Sequence, residues 1–449
     1  MRDVRAVDLD TNISVAYARR LWLKPDQEEK IMKAMNRMAV SAMALVTASL
    51  VPLAAFAGEV EFWSPFTGPD GTAIDALVKE FNAGAGAAAG VNVNLLIIPW
   101  DDYYTKLSVS MASRTAPDLA VMHSHQIAGF VKQGALEAYT PEEIAAAGLA
   151  EADYIPQLWS AGVVADKRYG VPIDAFPRHI YFNKTLFEQA GLDPNNPPKT
   201  GAELLDAATK IQALGNGVQG LHFQLNGSGA FRNFYSIYWQ YQDELYNADQ
   251  TDVADGFAET AKKSLETLKA YMDAGLAPKE IISDVPAQFA QNKFGIVINQ
   301  ITDLPVYQTA AADQGLSFGV APLPTFGDRP ATFALGHNFV IPRGTPPEAR
   351  TDALVFVKWI GDNSIAWAKT GKMPAKLTTL NSDEFKALPE QSIVATSLDY
   401  VHFPPALSVQ PQVDRVVQTT AEAFYAGQVD VDQAVTMMAD GIRQELAKK

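Results

Sequence analysis

The sequence predicts an α/β fold of more than one domain, built on doubly wound parallel sheet. Three observations carry that prediction. β–α units repeat three times within about 80 residues after position 58. The chain is 449 residues long, more than a single core ordinarily serves. Extended runs bearing proline flank a long helical stretch, as crossings between lobes do.

The N-terminal segment is read as a targeting signal. Lys33 and Arg37 precede the apolar run MAVSAMALVTASLVPLAA, which ends in Ala55-Phe56-Ala57. These are the charged, hydrophobic and small-residue parts of a secretory signal peptide cleaved after Ala57. Its Ala and Ser content and Pro52 suit a cleaved signal better than a permanent span. Residues 1–31 hold Asp3, Asp8, Asp10, Asp26, Glu28 and Glu29 and do not fit an n-region. A start at Met32 or Met35 would leave an ordinary signal. Cleavage removes eight of 36 basic and six of 51 acidic residues, leaving 28 and 45 and a net charge of −17. That acidity argues against nucleic acid and against anionic lipid. No cysteine is present, so disulfides, thiolate chemistry and a cysteine-borne lipid anchor are excluded. An unanchored exported protein of a bacterial periplasm fits these facts.

In GEVEFWSPFTGPDG (58–71), Val60 and Phe62 alternate with Glu61 and Trp63 as in a strand. A polar loop follows, and Asp70 is placed to cap a helix over Thr72–Asn82. VNVNLLIIPW (91–100) is the second strand, and DDYYTKLSVSMAS opens on Asp as the next helix. AGAGAAAG (83–90) reads as a helix end and a surface loop. PDLAVMHS is the third strand, running into a loop and a helix in HSHQIAGFVKQGAL. The strands end on Trp63-Ser64, Pro99-Trp100 and His123-Ser124, which converge on the sheet edge where ligands sit in open α/β folds.

YGVPIDAFPRHIYFNKTLFEQAGLD (169–193) holds Pro172 and Pro177, making it a poor central strand and a good crossing. Residues 200–315 read as mostly helical, closing on the strand KFGIVINQ. SFGVAPLPTFG (317–327) is expected to carry the chain back. LGHNFVIPRG is a strand and PPEARTDALVFVKWIGDN a helix; TGKMPA (370–375) is the third crossing. The remainder is helical, with a break at HFPPALSVQPQ.

Catalytic signatures are missing: there is no G-x-S-x-G, no G-x-x-x-x-G-K-[ST] and no H-E-x-x-H. His123 and His125 lack a third histidine nearby and read as loop residues, not a metal site. No cofactor is implied. The residues present suit a neutral polar ligand such as a sugar, whose apolar ring faces want flat aromatics. Trp63, Phe66 and Trp100 lie near one edge; IYWQYQDELYN (237–247) adds Trp239 and Tyr241. Asp174, Asn299, Thr302, His337 and Asn338 could supply hydrogen bonds. Phe231, Phe234 or Tyr235, and Tyr238 form one helical stripe read as core. Trp239, turned by about 100° from Tyr238, is expected to face the cleft as a stacking platform.

From about residue 58 to 449 the chain resembles the solute-binding proteins of bacterial ABC transporters, in the carbohydrate-binding family related to maltose-binding protein. The matching stretches, in the family's order, are EFWSPFTGPDG, IIPWDDYYTKL, APDLAVMHS, YGVPIDAFPRHIYFNKTLFEQAGLD, FGIVINQ, FGVAPLPTFG and GHNFVIPRG. The resemblance implies a two-lobed fold with hinge strands and a central ligand cleft. Lobe 1 would comprise 58–171 and 320–371, and lobe 2 would comprise 172–319 and 372–449. The family's first loop implies contacts from Ser64, Phe66 and Thr67, the second strand's loop Trp100, and the third's His123 and Ser124. The P-x-D hinge motif implies Asp174, and the second lobe Trp239, Asn299 and Thr302. Gly336 and His337 match the loop before FVIP, and Met373 sits at the last crossing. The family usually has His at 176, where this chain has Phe176.

The implied function is capture of a mono- or oligosaccharide by a periplasmic monomer that delivers it to permease subunits, without catalysis. Two alternatives stand beside it. One is the same fold binding a phosphorylated polyol such as glycerol 3-phosphate, which would want Arg or Lys at the cleft, with Arg178 near. The other is a secreted glycosidase or lyase.

Overall fold

The computed structural model describes residues 58–449, so the expected signal peptide and its cleavage site lie outside the described residues. The first β–α units form as their patterning requires. Strand β1 (Gly58–Ser64) buries Val60 and Phe62 completely and turns Glu59 and Glu61 to solvent. Parallel to it run β2 (Val91–Ile97), with Phe62 opposite Leu95, and β3 (Leu119–His123), with Phe62 opposite Leu119. Helices α1 (Gly68–Ala83), α2 (Trp100–Ser113) and α3 (Ser124–Lys132) follow the three strands. Each helix starts earlier than its sequence suggests. Thr67, not Asp70, occupies the N-cap position of α1, and Pro99, not an aspartate, that of α2. A proline at the start of a helix loses no hydrogen bond there, which moves both boundaries upstream. Part of AGAGAAAG forms one short helix, Ala85–Ala89, ended by Gly90 at φ 75°.

After β4 (Leu136–Glu137) comes β5 (Val171–Pro172) and then β6 (Asp174–Asn183), whose ten residues are all buried. The prolines do not keep β6 from a central place. Pro177 falls where the partner strand changes, so its missing N–H interrupts no continuous ladder. β6 pairs antiparallel with β8 (Phe294–Gln300), β9 (Phe318–Pro322) and β10 (Thr332–Leu335). β8 pairs in parallel with β7 (Gln219–Phe223), a strand hidden inside the stretch read as helical. Its five residues QGLHF do not alternate, because Gly220 to Phe223 are all buried.

The chain returns to the first sheet later than expected. The segment 317–327 stays with the second sheet as β9, and the crossing falls at Gly336, between β10 and β11 (His337–Pro342). β12 (Met373–Pro374) then pairs with Ala175 and Asp174, making the third crossing at the expected place. β13 (Val401–His402) pairs with β10. The first sheet has the order β2-β1-β3-β11-β4 with β5 on β11; the second has β13-β10-β6-β8-β7 with β9 and β12 on β6. The three crossings are tied to one another: Ile173 N–H donates to the His337 carbonyl at 2.8 Å, and Ala375 N–H to the Ile173 carbonyl at 3.1 Å.

Candidate functional site

The ends of β1, β2 and β3 assemble one aromatic cluster. The buried Ser64 hydroxyl accepts from Phe66 N–H at 3.3 Å, which bends the loop so that the Phe66 ring turns inward. That ring meets His337 edge-on and also Trp367, each with centroids 4.8 Å away. Trp367 comes from the short helix Ser364–Ala368. Thr67, one residue on, is exposed. Trp100, half-buried at the start of α2, lies 4.5 Å from the His123 ring. His123 is directly opposite His337 in the β3–β11 ladder, so the two imidazoles sit 4.8 Å apart. Phe176, where the family usually has His, packs 4.7 Å from His337. Burial lowers the pKa of His123, and the charges of His337, His125 and Arg232 add to this. For His125 burial and the charges of Arg232 and His337 bring the pKa to about 3. Both rings are therefore neutral at physiological pH.

Asp174, expected to meet a ligand, meets protein groups in this structure. It is fully buried, and protein groups take its carboxylate: His337 N–H at 3.1 Å, His337 Nδ1 at 2.8 Å and Trp367 Nε1–H at 2.7 Å. Burial alone would raise its pKa. The charge and hydrogen bond of His337, then Lys372 and Trp367, overcome that and hold it below the usual carboxylate range. Asp174 positions two rings of the cluster. Met373, fully buried and paired with Ala175, and Gly336, at the middle crossing, likewise belong to the hinge and not to a ligand surface. Beside them Lys372, fully buried, bonds both carboxylate oxygens of Asp70 at 2.7 and 2.8 Å. That bond is the use the fold makes of Asp70.

The second sheet contributes from the end of β8. Asn299 donates to the Asp303 carboxylate, and Thr302 is half-buried in the 3-10 turn Ile301–Asp303. Burial raises Asp303 to about 6 against the pull of Lys372 and Arg178. Gln300 accepts from Arg232 Nη1 at 2.6 Å. Arg232 lies on α4 (Gly227–Tyr238) and is close enough to His123 and His125 for its charge to lower both pKa values. So residues of both sheets meet here.

Trp239 does not join them. It is 2% exposed, its ring near-parallel to those of Tyr235 at 5.1 Å, His402 at 5.3 Å and Phe333 at 6.0 Å. Of the twelve residues of α4, nine are buried, so turning away from one stripe leads only to other packing. The sequence reading set His125 aside as a loop residue, where the structure has it in the first turn of α3, and it passed over Arg232, Gln300, Lys372 and Trp367. Arg232 did leave a signal: between Lys210 and Asp243 it is the only formally charged residue, and a lone charge in a polar-aromatic run suggests a purpose.

Among the described residues no group of three or more His, Asp or Glu could hold a metal ion, and no helix is long and apolar enough to cross a membrane. The profile of the family described as bacterial extracellular solute-binding protein matches residues 67–366. A binding protein of Brucella abortus (strain 2308) is 31% identical over 282 residues, 60% of this chain and 64% of that protein. The chain thus spans somewhat less than two thirds of that relative's length. The sn-glycerol-3-phosphate-binding periplasmic protein UgpB of Escherichia coli O1:K1 is 30% identical over 190 residues, 40% of this chain and 41% of that one. Among solved structures, an ABC transporter solute-binding protein of Thermotoga lettingae bound to α-D-tagatose superposes with a TM-score of 0.75 at 23% identity, covering 87% of this chain and all of that one.

Proposed function

Since the chain belongs to the bacterial extracellular solute-binding proteins, we propose that it captures a sugar between two lobes and delivers it to the permease of an ABC transporter. The lobes of this reading divide at the crossings near Ile173, Gly336 and Ala375. One observation carries it: Phe66, Trp100, His123 and His337, from four separate strand ends, form a single aromatic cluster beside those crossings, with Phe66 and His337 buried beneath and Trp100 and His123 partly exposed. Flat rings suit the C–H faces of a sugar, and the neutral imidazole of His123 can exchange hydrogen bonds with its hydroxyls. Asn299 and Thr302 supply the opposing polar groups. Ligand touching both lobes favours their closed arrangement, and that arrangement is what the permease recognises. The work is capture, without bond making or breaking.

The protein acts as a periplasmic monomer after removal of the segment through Ala57; exported protein whose mass does not begin at Gly58 would refute that boundary. A thermal-shift screen of the mature chain tests the ligand class, because a solute bound only by the folded state raises the melting temperature. The panel holds mono- and disaccharides, with sn-glycerol 3-phosphate included on account of the Escherichia coli relative. A cognate sugar should raise the melting temperature and be recovered unchanged. Recovery of cleaved sugar would make the protein an enzyme.

A further inference from the structure

Four buried polar atoms near the meeting of the two sheets have no hydrogen-bond partner: Arg232 Nε, Gln300 Nε2, Ser124 Oγ and His125 Nδ1. Ser124, His125 and Gln300 are all more than nine-tenths buried, so water does not readily satisfy them, and leaving a buried group unpaired is costly. All four can donate. Gln300 uses its carbonyl oxygen to accept from Arg232, which leaves only amide hydrogens free. His125 Nε2 lies 3.2 Å from the Gln126 amide nitrogen. That nitrogen can only donate, so Nε2 accepts and the proton of the neutral ring sits on Nδ1.

Charge points the same way. Arg178, 1% exposed, offers Nη2 to the Ile298 carbonyl at 3.0 Å and leaves Nε unpartnered. The two arginines lie close enough for Arg232 to lower the pKa of Arg178, yet among the described residues neither forms an ion pair. Two carboxyl groups lie in their field without pairing with either arginine: Asp414, whose Oδ1 accepts from Tyr235 and Gln410 while Oδ2 has no partner, and Asp303, which accepts from Asn299. Arg178 is removed from water and Arg232 is only partly exposed, and guanidinium groups so placed without an ion pair favour an anion. Ser124 and His125 open α3, whose N-terminal end also favours negative charge.

The geometry points to a subsite for an acidic group, a carboxylate or a phosphate on an otherwise hydroxylated ligand, held by Arg232 and Gln300 from one side and by Ser124 and His125 from the other. This rests on the reading that the ligand lies between the lobes. A neutral sugar could use the donors but would leave the cations uncompensated.

Matched pairs test it by titration calorimetry on the mature chain: glucose, glucuronate and glucose 6-phosphate; galactose and galacturonate; glycerol and sn-glycerol 3-phosphate. In at least one set the acidic member should bind about tenfold or more tighter than its neutral twin, the worth of one charge-assisted bond. The uronates report a carboxylate subsite and the phosphate esters a phosphate one. Arg232→Gln should shrink that ratio to about twofold or less, and Arg232→Lys should keep part of it. The Lys variant also guards against a Gln variant that fails to fold. Neutral members binding as tightly as acidic ones would overturn the subsite while leaving sugar capture standing. An undiminished ratio in Arg232→Gln would overturn the residue assignment, and binding of no member would overturn both.

Discussion

Trp239 and Asp174 show how far a residue's type is from its role. Both have chemistry that suits a sugar, and both are spent on the protein. Trp239→Ala should therefore lower the stability of the ligand-free protein by about 3–5 kcal/mol, read from urea denaturation. A small loss would return the indole to the cleft. Asp174→Ala strands the N–H groups of His337 and Trp367 and should cost about 3 kcal/mol or more of stability. Unchanged melting would show that these donors find other partners. Trp100 is the contrary case, half-buried with a ring in the cluster. Trp100→Ala should weaken the cognate ligand about fivefold to tenfold while moving the ligand-free melting temperature little, since stacking on one aromatic is worth about 1 kcal/mol or somewhat more. Asp414 gives a pH dependence. Burial pushes its pKa up to about 7, against Gln410, Tyr235 and the charge of Arg232. A carboxyl raised on folding takes up a proton, so its stabilising contribution is complete below about pH 4 and is lost as pH rises through about 7. In Asp414→Asn, urea midpoints should fall less between pH 5 and 8 than in the parent; an identical fall would remove Asp414 as the cause. The strand-end residues were legible because a β–α turn is local. The partners of Asp174 lie 163 and 193 residues away, and no local pattern records them.

At the scale of elements, the crossings behave as one knot. The first three β–α units could be read from alternation and loop chemistry, and so could the crossings near 172 and 373. The middle one could not. SFGVAPLPTFG is extended and carries prolines, yet its strand pairs with β6; which neighbour an extended segment chooses depends on the whole sheet. Gly336 marks the true crossing. A Cβ there would lie 2.5 Å from the Asp174 carbonyl oxygen and 2.9 Å from Leu158 Cδ2. Gly336→Ala should destabilise the protein by about 1–3 kcal/mol, as overpacking does, and should slow ligand-driven closure in stopped-flow tryptophan fluorescence. Parent-like closure rates in a folded variant would mean that bending occurs elsewhere.

At the scale of the whole molecule, three linked crossings leave rotation of one sheet against the other as the natural large motion. Saturating ligand should shrink the radius of gyration in solution scattering while the scattering mass stays that of one chain. An unchanged profile would count against a clasp. The two-lobed plan was legible from length and from the proline-bearing runs, whereas the meeting of Arg232 with His123 and His125 required both sheets in place. The strand order has one further effect, on time. β11 lies inside the first sheet, between β3 and β4, although about 160 residues of the other sheet's material (174–335) are made before it. A growing chain therefore carries a sheet with an empty slot until residue 342 arrives, and pairings so distant in sequence form slowly. A protein destined to be threaded outward needs to stay unfolded until it is through. The late strand should therefore delay closure of the first sheet, and a fragment ending before residue 337 should remain open to protease where the full chain resists.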